Sequence, residues 1–253
     1  EAKTDALVAA EVYFDMVSVG ATVNAILASV FADGTTVLEN AAREPHIVDL
    51  ANFLNTCGAR IVGAGTDTIK IRGVEKLHGS TYAIIPDMIE AGTFMCAAAA
   101  TGGNVKINNV IPKHLDSISA KLTEMGVFVE ELDDAVIVRR DGAMKGINVK
   151  TQPYPGFPTD MQPQMTALLC FADGTGRVTE GVWDNRFRYV EELRKTGAVI
   201  DIAGKTATVR GNTALVGAPM RSVDLRAGAA MVIMGLAASG RTEITDIHTI
   251  ERG

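Results

Sequence analysis

Nothing in this sequence of 253 residues reads as a membrane anchor or an export signal. Its longest apolar runs, such as residues 227–239, fall well short of the roughly 18 residues a spanning helix needs, and no charged stretch followed by an apolar one opens the chain. Cysteine is scarce. Cys57, Cys96 and Cys170 are odd in number and sit among apolar or small residues, which argues against a disulfide framework and for a reducing, cytoplasmic compartment. No metal-ligand spacing is present, so neither a metal nor another cofactor is expected. Positive charge is in deficit. A net charge of −6 disfavours a surface that tracks nucleic-acid phosphates, which needs clustered Lys and Arg, and leaves room only for a small anionic ligand at a local group of arginines.

What the chain does have is apolar residues, 47% of the total, enough for one large core or two smaller ones. They are arranged in a block that recurs three times and begins a fourth. Each copy runs in one order: a polar head, a small-residue apolar helix, a strand, an amphipathic helix ending in Gly, and a strand closing on Arg. The helix-ending glycines are Gly58, Gly126 and Gly197, in steps of 68 (126 − 58) and 71 (197 − 126). The closing strands are residues 68–73, 135–140 and 206–211. Unrelated loops do not hold such spacing.

The inner helices are expected at residues 22–32, 91–100, 161–172 and 227–239; being apolar on all sides, they belong inside a domain. The second helices carry one-sided stripes: Ile47, Leu50, Ala51 and Leu54; Leu115, Ile118, Ser119 and Leu122; Val190 and Leu193. Short β-branched strands stand between them at 35–38, 104–107 and 177–179, and a further strand is expected ahead of three heads at 11–15, 81–85 and 146–150. The unit is βαβαββ. Residues 151–158 carry three prolines and read as an extended, rigid connector leading into Asp160.

Chemical exceptions gather at the heads of the inner helices: residues 18–22, 87–93, 159–162 and 224–228. A helix N-terminus presents unpaired N–H groups and partial positive charge, and so suits a phosphate or carboxylate. The plainer reading is capping, since Ser, Thr and Asp are favoured N-cap residues. Asp224 also reads as a local ion-pair partner of Arg226, and Asp160 as a turn residue. Asn185-Arg186 and Arg252 stand in the connectors after the strands of copies three and four, with Arg43 and Lys113 in comparable places in copies one and two.

The segments Ser18-Val19-Gly20-Ala21-Thr22, Glu39-Asn40-Ala41-Ala42-Arg43-Glu44-Pro45, Gly63-Ala64-Gly65-Thr66-Asp67, Ile85-Pro86-Asp87, Glu90-Ala91-Gly92-Thr93-Phe94, Phe157-Pro158-Thr159-Asp160-Met161-Gln162, Asn185-Arg186-Phe187 and Asp224-Leu225-Arg226-Ala227-Gly228 resemble those of the enolpyruvyl transferases, in particular the UDP-N-acetylglucosamine 1-carboxyvinyltransferases that open peptidoglycan synthesis. The resemblance runs the whole length of the chain. It implies an inside-out, barrel-like α/β fold of repeated βαβαββ units in two domains. Residues 1–85 would be the latter part of one domain and residues 86–253 most of the other, both incomplete. The front third of the family's length and a short last helix and strand have no counterpart here. That front carries the mobile-loop cysteine that protonates phosphoenolpyruvate, a role to which none of the three cysteines corresponds; the partner expected is therefore the missing N-terminal segment, with no nucleic acid and no membrane.

The resemblance implies transfer of the enolpyruvyl group of phosphoenolpyruvate to the 3′-hydroxyl of UDP-N-acetylglucosamine, with phosphate released. Asp160, Asp224 and Arg252 match catalytic positions. Met16, Val17, Ser18, Val19 and Gly20 match the segment that holds the nucleotide diphosphate, Val182 a backbone contact to the sugar, and Arg186 and Arg226 guanidinium groups that neutralise the phosphate and carboxylate. Met16 stands where many members have Lys, and Met88 where many have Arg. An alternative expectation is a catalytically incomplete fragment that acts only as a UDP-sugar binding or structural module. The shikimate-pathway sister enzyme shares the fold but lacks these segments.

Overall fold

The computed structural model describes residues 4, 6–211 and 214–251. The chain divides into two compact units, Glu1–Ile85 with Pro153–Pro155, and Pro86–Gln152 with Gly156–Gly253. Part of the proline-rich connector thus belongs to the first unit while both its flanks belong to the second.

In the first unit one complete βαβαββ copy is present: β1 (Glu11–Tyr13), α1 (Val19–Ser29), β2 (Thr35–Glu39), α2 (Pro45–Thr56), β3 (Arg60–Val62) and β4 (Thr68–Arg72). Its sheet has the order β1-β2-β4-β3. The parallel pair β1 and β2 needs a crossover, and α1 supplies it. Alternation fixes the register: Leu38 lies opposite Ile69 and Ile61 opposite Ile71, so one face of the sheet is apolar while Lys70 and Arg72 point outward. That apolar face and the Ile47, Ala51 and Leu54 stripe of α2 close over Ile26 and Val30.

The second unit repeats the plan around three inner helices. Its elements are α3 (Met88–Thr101), β5 (Asn104–Asn108), α4 (Asp116–Glu124), β6 (Phe128–Glu131), β7 (Ala135–Arg139), β8 (Asn148–Lys150), α5 (Gln162–Leu169), β9 (Thr175–Thr179), α6 (Val190–Arg194), β10 (Val199–Ala203), β11 (Thr206–Arg210), β12 (Pro219–Arg221), α7 (Leu225–Ala237) and β13 (Glu243–Thr245). The helices α3, α5 and α7 pack against one another, and the sheets lie outside them. The sheet order β8-β9-β11-β10 reproduces that of the first unit, while β12 and β13 begin a fourth copy. No closed barrel forms among the described residues.

Two expectations need correction. Residues 81–85 are not a strand, and the second copy has only the three-stranded sheet β5-β7-β6. The cause lies in Tyr82: its hydroxyl donates to Asp49 Oδ1 at 2.7 Å and its ring meets Phe53 edge-on, so the segment is drawn onto α2 in the first unit. The inner helices are also not uniformly enclosed. All eight residues of α5 are buried, but α1 leaves Leu27 exposed, with Phe31 just beyond it, and α7 leaves Leu236 exposed.

The repeat's glycines have physical reasons. Gly58, Gly126 and Gly197 adopt φ of 100°, 91° and 90° just past their helices, a left-handed conformation that glycine reaches without strain. Gly73 and Gly211, after the closing arginines, are set by close approach instead. A Cβ on Gly211 would stand 2.0 Å from the Ala172 carbonyl oxygen, and one on Gly73 would stand 1.7 Å from that of Ala32. The ends of the first and third closing strands are thus pressed against the carbonyls that follow an inner helix.

Gly211→Ala is expected to lower stability by about 1–3 kcal/mol, the usual range for overpacking. Gly142→Ala, where an added Cβ meets nothing, should stay within about 0.5 kcal/mol. Urea denaturation of the two variants checks this, and equal midpoints would contradict it. The cysteines give a second test. All three are buried, and burial pushes the thiols of Cys96 and Cys170 up to about 12. At pH 8 only on the order of one in ten thousand such thiols is the reactive thiolate. Iodoacetamide should therefore leave Cys96 and Cys170 unmodified in the folded chain and modify both in denaturant, as read by mass spectrometry of the peptides.

Candidate active site

The heads of the inner helices separate into two kinds. At three of them the polar residue caps its own helix. Ser18 Oγ accepts from the Ala21 N–H at 3.3 Å, Asp87 Oδ1 from the Ile89 N–H at 2.7 Å, and Asp224 Oδ1 from the Ala227 N–H at 2.8 Å. The fourth differs. Pro158 leads into a single 3-10 turn, Thr159–Met161, ahead of α5, and neither this turn nor the helix has a side-chain cap.

Asp160 is free to face outward from that turn, and two arginines meet it. Arg186 Nη2 donates to Oδ1 at 2.7 Å, and Arg226 donates to Oδ2 through Nε at 3.1 Å, its Nη2 standing 3.1 Å from the same oxygen as an ion pair. All three side chains are partly buried, between 20% and 38% exposed, so solvent screens them only in part. The two guanidinium groups face one carboxylate directly, and a second, the buried Glu180, stands behind Arg186 through Thr159. Their N–H groups can pair with an anion while holding a carboxylate in their midst. Arg226 pairs with Asp160 and not with Asp224 two residues away, so the local ion pair is not formed.

Backbone geometry aims Arg186. Asn185 adopts a left-handed φ of 54° immediately before Arg186, while Asn40, Asn109 and Asp246 adopt φ of 54°, 55° and 57° directly after β2, β5 and β13. Asn and Asp tolerate that region better than other non-glycine residues. Arg186 Nη1 also donates to Thr159 Oγ1 at 3.1 Å. Beneath the cluster, the buried Tyr189 hydroxyl bridges Gln162 Oε1 at 2.7 Å and Thr166 Oγ1 at 2.8 Å, and burial pushes its phenol far above the usual range. Gln164 Nε2 donates to Thr93 Oγ1 at 3.0 Å, tying α5 to α3.

Of the other candidate residues, Val182 lies in the same unit on the loop after β9, its N–H donated to Glu180 Oε1 at 2.8 Å. Asp224 is exposed at the head of α7. Met16, Val17, Ser18, Val19 and Gly20 are in the first unit at the head of α1; Met16 is 80% exposed, and a Cβ on Gly20 would meet nothing, so internal packing does not demand glycine there. Arg252 lies outside the described residues. Arg43 is exposed in the first unit, and Lys113 pairs with Asp116 at the start of α4.

One residue of this neighbourhood escaped the sequence reading. Glu180 is only 2% exposed and accepts hydrogen bonds from Thr151, Thr159, Val182 and Trp183. A signal for it exists in period two. Gly176 and Val178 face inward along β9, so Glu180 continues the buried face where an apolar residue is the norm.

Comparison with known proteins shows the family. A protein 60% identical over 99% of the chain is named UDP-N-acetylglucosamine 1-carboxyvinyltransferase 3, from Caldanaerobacter subterraneus subsp. tengcongensis, and one 58% identical over 99% is named UDP-N-acetylglucosamine 1-carboxyvinyltransferase, from Clostridium botulinum. The chain spans 60% of the length of each. Among solved structures, the enolpyruvyl transferase NikO from Streptomyces tendae superposes with a TM-score of 0.90 at 27% identity, over 99% of this chain and 62% of that one. EPSP synthase from Acinetobacter baumannii superposes with a TM-score of 0.72 over 97% of this chain and 60% of that one; at 21% identity it shares the fold alone. The model of the EPSP synthase (3-phosphoshikimate 1-carboxyvinyltransferase) family matches residues 1–253, and the chain belongs to that family.

Proposed function

We propose that this chain carries the carboxylate and arginine part of a UDP-N-acetylglucosamine 1-carboxyvinyltransferase, acting in the cytoplasm at the start of peptidoglycan-precursor synthesis. The observation that carries the reading is Asp160 held between Arg186 and Arg226 at an inner-helix head. The relatives' names supply the substrate class, and they favour a transferase over a binding or structural module. Three free, buried cysteines fit a reducing compartment.

In the proposed reaction the sugar 3′-hydroxyl oxygen bonds to C2 of phosphoenolpyruvate while C3 gains a proton. The resulting tetrahedral intermediate loses a proton from C3 and breaks its C2–phosphate bond, giving the enolpyruvyl ether and inorganic phosphate. Two protons move and several negative charges must be held. Arg186 and Arg226 suit the phosphate and carboxylate, because a planar guanidinium binds an oxyanion by paired hydrogen bonds. Asp160 then orients the 3′-hydroxyl and accepts its proton. Asp224, exposed and with one oxygen spent on its helix, serves at C3, and Arg252 adds positive charge for the phosphate. Since Glu180 occupies the Val182 N–H, the Val182 backbone meets the sugar through its carbonyl oxygen. The head at Val17, Ser18, Val19 and Gly20 receives the diphosphate on its N–H groups, with Met16 adding apolar contact but no charge.

A chimaera in which these 253 residues replace the matched segment of the Caldanaerobacter relative tests the reading. Phosphate release that depends on both UDP-N-acetylglucosamine and phosphoenolpyruvate is expected, and Asp160→Asn should cut kcat by about 10²–10⁴-fold with the fold intact by circular dichroism. A folded chimaera without turnover, or Asp160→Asn at the parental rate, would sink the assignment. UDP-N-acetylglucosamine binding without turnover would favour the module instead.

A further inference from the structure

We propose that Glu180 is the positioning residue of the Asp160 site, a single buried carboxylate that fixes both the arginine and the backbone facing the substrate. The inference rests on the functional reading above. Glu180 Oε2 accepts from Thr159 Oγ1 at 2.9 Å, and the same Thr159 oxygen accepts from Arg186 Nη1 at 3.1 Å, while Arg186 Nη2 reaches Asp160 at 2.7 Å. Glu180 Oε1 accepts from Thr151 Oγ1 at 2.7 Å, from the Val182 N–H at 2.8 Å and from the Trp183 N–H at 3.1 Å. Thr151 Oγ1 in turn accepts from the Gly181 N–H at 2.8 Å, so successive residues of the loop are tied to one centre.

The direction of these bonds is the argument. Every group that faces Glu180 is a donor, and a carboxylate offers only acceptors. Thr159 has one hydroxyl proton, which Glu180 takes; its lone pair is thereby turned to Arg186, and the guanidinium is held in the plane that meets Asp160. Mere stability would not need this. An apolar residue would continue the β9 face at no desolvation cost, whereas a buried carboxylate is costly unless every oxygen is engaged, as both are here. Glu180 touches neither substrate nor reacting atoms in this scheme. It acts through Thr159, Arg186 and the Val182 backbone.

Glu180→Gln keeps the shape and places an amide NH₂ against donors. In its easier orientation the NH₂ faces Thr159, whose proton must then turn away, and Arg186 loses its fixed partner. In the chimaera, Glu180→Gln is expected to lower kcat about 10- to 100-fold, the scale of a small misplacement of reacting groups, with a smaller change in KM for phosphoenolpyruvate. Thr159→Val should give a similar loss, Thr159→Ser should retain most activity, and the double variant Glu180→Gln, Thr159→Val should lose little beyond either single one. A rate for Glu180→Gln within twofold of the parent, or losses that multiply in the double variant, would overturn the proposal even where melting temperatures fall. Trp183, the sole tryptophan, gives a readout that does not need turnover. Its fluorescence anisotropy should drop in Glu180→Gln at unchanged circular dichroism, and an unchanged anisotropy counts against the proposal. A parent chimaera that folds but does not turn over refutes the transferase reading instead, and leaves the anisotropy to decide the loop's dependence on Glu180.

Discussion

A helix that is apolar on nearly every side can be stable in water only if something encloses it, and the rest of this molecule follows from meeting that demand. Each copy of the repeat wraps its inner helix with a sheet whose inward positions are Ile, Val, Leu and Ala, and with an amphipathic helix that turns one stripe inward. Enclosure also dictates where polar chemistry can be. Along the flank of α5 polar side chains find partners within the core, Gln162 Oε1 and Thr166 Oγ1 with Tyr189, although Gln162 Nε2 and Gln164 Oε1 are buried without one. Only at the helix ends does the backbone itself ask for polar company, and the N-terminal end asks for negative charge. The candidate carboxylates Asp160 and Asp224 accordingly stand at the heads, whereas Glu180 is kept in the interior only by donors to both of its oxygens.

Much of this architecture is legible in the amino-acid sequence because its causes are local. A glycine with φ near 90° beyond a helix is required by geometry within its own unit and recurs in all three copies, and one pressed against a carbonyl beyond a closing strand recurs in two, at Gly73 and Gly211. What could not be read is pairing. Residues 81–85 have the composition of a strand, but a strand exists only with a neighbour, and the Tyr82 contacts to Asp49 and Phe53 lie more than 25 residues away in the chain. Leu27 and Leu236 show the same limit from the other side, since an apolar residue states its preference for burial and not whether a surface is present to bury it.

The site was legible to a different extent. Capping and catalysis draw on the same residue types, so Ser18, Asp87, Asp160 and Asp224 look alike in sequence, and only the direction of each side chain separates them. Asp160 is set apart by Pro158 and the short 3-10 turn, which move it off the helix axis and deprive it of a capping role. Its partners come from 26 and 66 residues downstream, distances at which neither spacing nor periodicity carries information. Glu180 was within reach of pattern reasoning, because β9 alternates cleanly up to Val178, but a lone glutamate after a strand reads more readily as a surface turn.

The arrangement around Asp160 also carries an ordering of events. A carboxylate accepts a proton through a lone pair that is not already engaged, and here Arg186 engages one lone pair of Oδ1 and Arg226 Nε one of Oδ2. An oxyanion bringing two or more negative charges competes for those same N–H groups and outweighs a single carboxylate for them. As the guanidinium groups turn toward such an anion, lone pairs of Asp160 are released at the moment the anion is in place. A neutral hydroxyl arriving alone makes no such exchange. In the proposed reaction the same two arginines would neutralise the anionic substrate and, in turning to it, free further lone pairs of Asp160 for the hydroxyl. For that exchange to work the arginines must pivot about a fixed point, and Thr159, its proton committed to the buried Glu180, is the fixed point the fold supplies for Arg186.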